Sequence, residues 1–140
     1  GEPVRWALAA VLIPLAANVL NLFDLRPGRA AAVFFLGLGV TYLVALGSIQ
    51  TPWIVAAVAV TALAWAIPDS LGKAMMGDSG SNSLGAALGI TMALNTGIVF
   101  QSVVILAIIA LHLYSESHSI TGLIERNHTL NWIDRRLGVR

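Results

Sequence analysis

Apolar residues run through this chain in five long blocks, at 4–23, 30–47, 51–67, 83–97 and 98–114, with short polar stretches between them. A helix needs roughly 20 residues to cross a bilayer, within a range of about 17 to 25. The first block meets that comfortably. The fourth is short, so a tilted, broken or re-entrant segment is an alternative there. Backbone polar groups in lipid must be satisfied within the structure, and apolar runs of this length suit helices better than the roughly 10-residue alternating strands of a barrel. The expected fold is all-α: a polytopic transmembrane helical bundle of five spans over residues 1–114.

Beyond 114 the pattern changes. Residues 115–119 read as a loop; Ile120, Leu123, Ile124 and then Leu130, Ile133, Leu137 suggest two short amphipathic helical pieces broken near Asn127-His128. Trp132 with its flanking arginines suits a helix lying on the inner leaflet. The alternative is a tail that packs on the rest of a longer protein. Residues 115–140 are thus expected to form a cytoplasmic interfacial tail.

The polar connections sort by charge. Stretch 24–29 holds Arg26 and Arg29, stretch 68–82 holds Lys73, and the tail holds Arg126, Arg135, Arg136 and Arg140. Five spans put all three on one side, opposite Arg5 and two tight turns at 48–50 and 95–97. Seven of the eight basic residues then share a face, which the positive-inside rule makes cytoplasmic. Were the fourth block not to cross, this sorting would break. Trp6 and Trp53 fall near the outer interface and Trp65 near the inner one. Gly37 and Gly39, and Gly85 with Gly89 in a small-xxx-small pattern, would let helices approach closely. Pro14, inside the first span, should kink it.

Composition sharpens this picture. The chain is 57% apolar and 11% charged with a mean hydropathy of +0.81, against about 25% charged residues in soluble domains. A net charge of +1 leaves no footprint for nucleic acid. The lack of cysteine excludes disulfides, thiolate nucleophiles and zinc–thiolate sites. The opening Gly1-Glu2-Pro3, without methionine or a signal-like segment, is expected of a portion of something longer.

Three groups of residues could carry chemistry. In the first, Asn18, Asn21 and Asp24 recur every three residues and line one helical stripe toward the inner membrane end, just before Arg26, Pro27 and Arg29. An aspartate at mid-bilayer costs roughly 2.5 to 3.5 kcal/mol on insertion scales, less near the interface, so such a stripe faces a wet cavity or another helix. Its plain structural reading is interhelical amide bonding, with Asp24 paired to Arg26 or Arg29. The second group, Met76-Gly77-Asp78-Ser79-Gly80-Ser81-Asn82-Ser83, is a glycine and hydroxyl loop running into an apolar helix. Free amides at a helix start beside a carboxylate suit phosphate with magnesium; Ser81 or Asn82 acting only as a helix cap is the plainer alternative. In the third, His112, His118 and His128 with Glu116, Glu125 and Arg126 cluster at and beyond the end of the fifth block, where histidine could shuttle a proton or simply be solvated.

Taken together, the Asn-x-x-Asn-Leu-x-Asp stripe, the Met-Gly-Asp-Ser-Gly-Ser segment and the histidines after the next span resemble the polyprenyl-phosphate N-acetylhexosamine-1-phosphate transferases, the superfamily of phospho-N-acetylmuramoyl-pentapeptide transferase. The match in order and spacing covers nearly the whole chain and corresponds to the C-terminal half of a larger multi-span enzyme. It implies Mg2+-dependent transfer of a sugar 1-phosphate from a UDP-sugar to a polyprenyl (undecaprenyl) phosphate, at the cytoplasmic face of the bacterial inner membrane in cell-envelope glycan synthesis. By resemblance, Asp78 and Asp24 are metal-binding and catalytic, and His118 is the likelier counterpart of the family's catalytic histidines. Asn18, Asn21, Arg26, Arg29, Gly77, Ser79, Gly80, Ser81 and Asn82 would line the substrates. A missing amino-terminal half or a second copy in a homodimer would complete the site. The chain departs from the family where Pro27 replaces a second aspartate and Met75 an aromatic residue. A noncatalytic relative, acting as a membrane scaffold or lipid-phosphate binding protein, is the other expectation.

Overall fold

The computed structural model describes residues 1–139, and every regular element among them is a helix. The order is α1 (Glu2–Phe23), α2 (Arg29–Val44), α3 (Pro52–Ser70), α4 (Gly77–Asn95), α5 (Ile98–Ser117), α6 (Ile120–Arg126) and α7 (His128–Leu137). Three of these, α1, α3 and α5, are long and apolar enough to cross a membrane, and the chain is accordingly a membrane protein. Helix α2 is apolar but has 16 residues, and α4 has 19 but opens on the polar run 77–83. Length and composition therefore support three spans, not the expected five. The difference lies in how the two remaining segments divide: α2 ends at Val44 in a turn with Leu46 and Gly47 at positive φ, and α4 spends its first turns on polar residues.

Helix α1 is the centre of the bundle, packed along most of its length on α4 and also touching α5 and α2. The contact with α4 is backbone to backbone. A Cβ at Gly85 would lie 2.5 Å from the Ala16 carbonyl oxygen and from the Ala17 Cα, and one at Gly89 would lie 2.9 Å from the Ile13 Cα. The small-xxx-small pair thus serves close packing. Leu12, Ala16, Val19 and Leu20 of α1 meet Phe34, Leu88, Met92 and Ile105 in the core, and the α2–α4 approach uses Gly37, where Leu88 fills the place of a side chain. Pro14 lies within a continuous α1.

Residue pairings orient the helices. The Gln50 amide donates to Asn95 Oδ1 at 2.5 Å, tying the α2–α3 turn to the end of α4. At the opposite end the Gly28 amide donates to Asp69 Oδ2 at 2.8 Å, tying the α1–α2 turn to the end of α3. Large apolar side chains are exposed along the outer faces, with Trp6 at 72% and Trp53 at 86% exposure, as lipid contact requires. The fourth helix is continuous, so the broken alternative is not what forms.

Two expected loops are helical instead. Residues 77–83 make the first turns of α4, because the hydroxyl and amide side chains of Ser81, Asn82 and Ser83 bond back to carbonyls one turn earlier and satisfy themselves within the helix. Residues 115–117 continue α5 for the same reason, with the Ser115 hydroxyl donating to the His112 carbonyl at 2.7 Å. The tail does break at Asn127, whose side chain caps α7 by accepting from the Leu130 amide. Arg140, one of the basic residues in the charge sorting, lies outside the described residues.

Gly85→Ala should force α1 and α4 apart and destabilise the protein by about 1–3 kcal/mol, read as a lower unfolding temperature in detergent. Gly39→Ala, with no atom within 4 Å of the added carbon, should leave that temperature unchanged or raise it.

Candidate functional site

The end of the bundle at which α1 and α3 finish and α4 begins gathers the polar residues. Asp24 follows the last residue of α1 and is half-buried. The register of the α1–α4 contact brings its carboxylate to the start of α4, close enough to the Gly77 amide for that dipole to favour its charged form. Gly77 has φ +68, a left-handed conformation that glycine adopts without strain, and this turns the chain from the α3–α4 connection into the helix. Met76 occupies the cap position and no side chain caps α4, so neither Ser81 nor Asn82 plays the capping role expected as an alternative. The Gly77 amide and the positive end of the helix dipole lie beside Asp24.

Asp78 sits in that first turn with its side chain exposed, close enough for its charge to act on Asp24. A third carboxylate joins them. Asp69, at the last turn of α3 and 1% exposed, also bears on Asp24. Burial is the largest influence on Asp24 and raises its carboxyl above the usual range; Asp69 and Asp78 raise it further, while the Gly77 amide opposes them.

The asparagine stripe is engaged. Asn21 Oδ1 lies 3.1 Å from the hydroxyl of fully buried Ser81, whose one proton is shared between it and the Gly77 carbonyl at 3.0 Å. Asn18 Nδ2 lies 2.7 Å from His112 Nε2, and His112 Nδ1 lies 2.8 Å from the Ile108 carbonyl. A neutral ring that donates from Nδ1 and accepts at Nε2 satisfies both contacts. His112 is therefore the histidine brought to the α1 stripe. His118 finds its partners locally, stacked 4.7 Å from the Tyr114 ring and 2.8 Å from the Ser117 hydroxyl.

Of the remaining expected residues, Ser79 and Gly80 lie in the first turns of α4, with the Ser79 carbonyl accepting from Ser83 and Gly80 packed on Met76. Asn82 donates to the Asp78 carbonyl at 2.7 Å. The arginines turn away from Asp24. Arg26 pairs with Glu125 at 2.9 Å, and Arg29, 3% exposed, forms a two-pronged ion pair with Asp134. Among the described residues no ion pair joins Asp24 to either. A crevice of about 490 Å3 between α3 and α4, lined by Thr61, Ala62, Trp65, Met76, Gly80 and Ser83, opens beside the start of α4.

Among the described residues no three histidines or acids stand close enough to hold a metal by themselves. Asp24 and Asp78 could offer one or two oxygens, which suits a Mg2+ ion that keeps waters and takes its other ligands from a phosphate. Sequence reasoning missed Asp69 and Asp134. An acid closing an apolar helix, where the dipole disfavours it, was the available signal for Asp69. A lone acid among the arginines of α7 was the signal for Asp134. Comparisons with known protein families, curated proteins and solved structures find no match for this chain.

Because Asp24 keeps its proton to a higher pH in the folded protein than in the unfolded chain, folded-state stability should be full below the ordinary carboxylate range and fall as pH rises through the raised value. Asp24→Asn keeps an oxygen acceptor for Gly77 and removes this fall, so its unfolding temperature relative to wild type should climb with pH across that window. Parallel pH profiles for the two proteins would rule out the desolvated carboxylate as the cause.

Proposed function

We propose that the chain is part of a membrane phosphotransferase that moves a sugar 1-phosphate from a UDP-sugar to a polyprenyl phosphate, in the manner of the family its motifs resemble. The observation that carries this reading is the meeting of Asp24, the open start of α4 and Asp78 at one end of the bundle. An exposed set of helix amides beside two carboxylates is a place for a pyrophosphate with its counter-cation. In this reading α2 and α4 also cross, giving five passes with the site and tail at the cytoplasmic face of a bacterial inner membrane. Alternate ends of the five helices supporting both the inner and the outer contacts favour that topology.

Asp78, exposed in the first turn, and Asp24 would hold Mg2+ together with the nucleotide phosphates. The ion, when bound, supplies charge neutralisation for the departing UMP. The α4 amides would orient the phosphates, Asn21 and Ser81 would hold the two helices in register, and the half-buried Asp24 would orient or deprotonate the lipid phosphate. The apolar crevice beside Gly80 and Ser83 gives an isoprenoid chain a path from the bilayer to this point. His112, through Asn18, fits the family's histidine role by position; His118 remains a second candidate at the exposed end.

A second reading, a noncatalytic lipid-phosphate binding or scaffold protein, is favoured by Pro27 in place of an acid and by the ion pairs that occupy Arg26 and Arg29.

The test is UMP release by the full-length gene product in detergent with undecaprenyl phosphate and a panel of UDP-sugars, with and without Mg2+. Release should require Mg2+, and Asp78→Asn or Asp24→Asn should lower kcat by at least about 100-fold. Binding of the lipid phosphate with no UMP release from any UDP-sugar would decide for the scaffold.

A further inference from the structure

We infer that α6 and α7 form a clasp that holds the α1–α2 turn in place, with Arg29 and Asp134 as its positioning pair. The Arg29 guanidinium spends its donors on the tail: Nε and Nη2 on the two carboxylate oxygens of Asp134, the latter at 2.9 Å, and Nη1 on the Thr121 hydroxyl at 3.0 Å. Both partners of the ion pair are buried, Arg29 at 3% and Asp134 at 8% exposure. Arg26 adds Glu125 at 2.9 Å and approaches Asp134 at 4.0 Å. The end of the tail then closes over the turn. Gly138 lies against Pro27, where a Cβ would come within 2.5 Å of the carbonyl oxygen, and Gly28, at φ +80, lies under the Leu137 carbonyl. The Val139 amide donates to the Ser70 carbonyl at 2.9 Å, so the tail bridges the ends of α1, α2 and α3.

Breaking one partner of a buried pair leaves an uncompensated charge, which the protein relieves by opening locally. The segment that opens carries Asp24 at one end and the Gly28 amide, bound to Asp69, at the other. Arg29 thereby acts through the tail and not on a substrate. The clasp goes beyond the proposed transfer reaction and needs no substrate; only its bearing on catalysis rests on that reading.

Hydrogen exchange of the whole chain in lipid nanodiscs tests it. Asp134→Ala and Arg29→Asp should each speed exchange in peptides covering 24–30 and 66–74 by about tenfold or more, leaving the outer turn at 45–52 unchanged. The charge-swapped protein, Arg29→Asp with Asp134→Arg, should return most of the protection. Unchanged exchange at the inner end, equal acceleration at both ends, or a swapped protein no better than the single variants would overturn the clasp. Because the chain lacks cysteine, a second measurement avoids the harsher variants: thiol labelling of Ile120→Cys, a position 5% exposed, should quicken about tenfold when Asp134→Asn is added, and equal rates would also overturn it. A protein that releases no UMP leaves both measurements intact, and flat exchange leaves the transfer reading intact.

Discussion

Gly85 and Gly89 let the backbone of α4 rest on that of α1, and the arrangement of residues where α1 ends and α4 begins follows from this contact. Between helices in lipid there is little hydrophobic drive, so the gain comes from van der Waals packing and from hydrogen bonds that close approach permits. With the two backbones touching at Ala16 and Ile13, the antiparallel register allows little slip. One turn further along, Asn21 meets Ser81; beyond that, Asp24 meets Gly77. Asn18, on the same stripe, reaches across to His112 of α5.

That register creates an electrostatic problem at the start of α4. Asp69 and Asp78 are each brought near enough for their charge to act on Asp24, and the two nearby arginines are drawn off by the tail. What opposes the repulsion is backbone: the amide of Gly77 and the positive end of α4 act on Asp24, and the amide of Gly28 acts on Asp69. The tail contributes by keeping Arg26 and Arg29 occupied, which leaves the α4 start open.

Helix α3 is the loosely held member. Ala62 and Asp69 are its buried residues, and crevices of about 490 Å3 and 670 Å3 flank it on the α4 and α2 sides. Its C-terminal end is nevertheless anchored through Asp69 and through the bond from Val139 to Ser70.

Much of this was legible from residue order alone. Long apolar blocks specify membrane helices because lipid leaves backbone groups no partner outside the segment, and the glycine spacing marked a close helix approach by α4 without naming α1 as its partner. The stripe of Asn18, Asn21 and Asp24 and the segment around Asp78 were visible because helical periodicity is local. Other features depend on residues distant in the chain. Whether polar residues 77–83 would be loop or helix turned on side chains finding carbonyls one turn back. Which partner Arg29 takes, Asp24 five residues away or Asp134 over a hundred residues on, was decided by the folding back of α7, since an ion pair is fixed by distance and burial and not by sequence separation. The same holds for Asp69, an acid whose place beside Asp24 exists only because α1 and α3 end at the same face of the bundle.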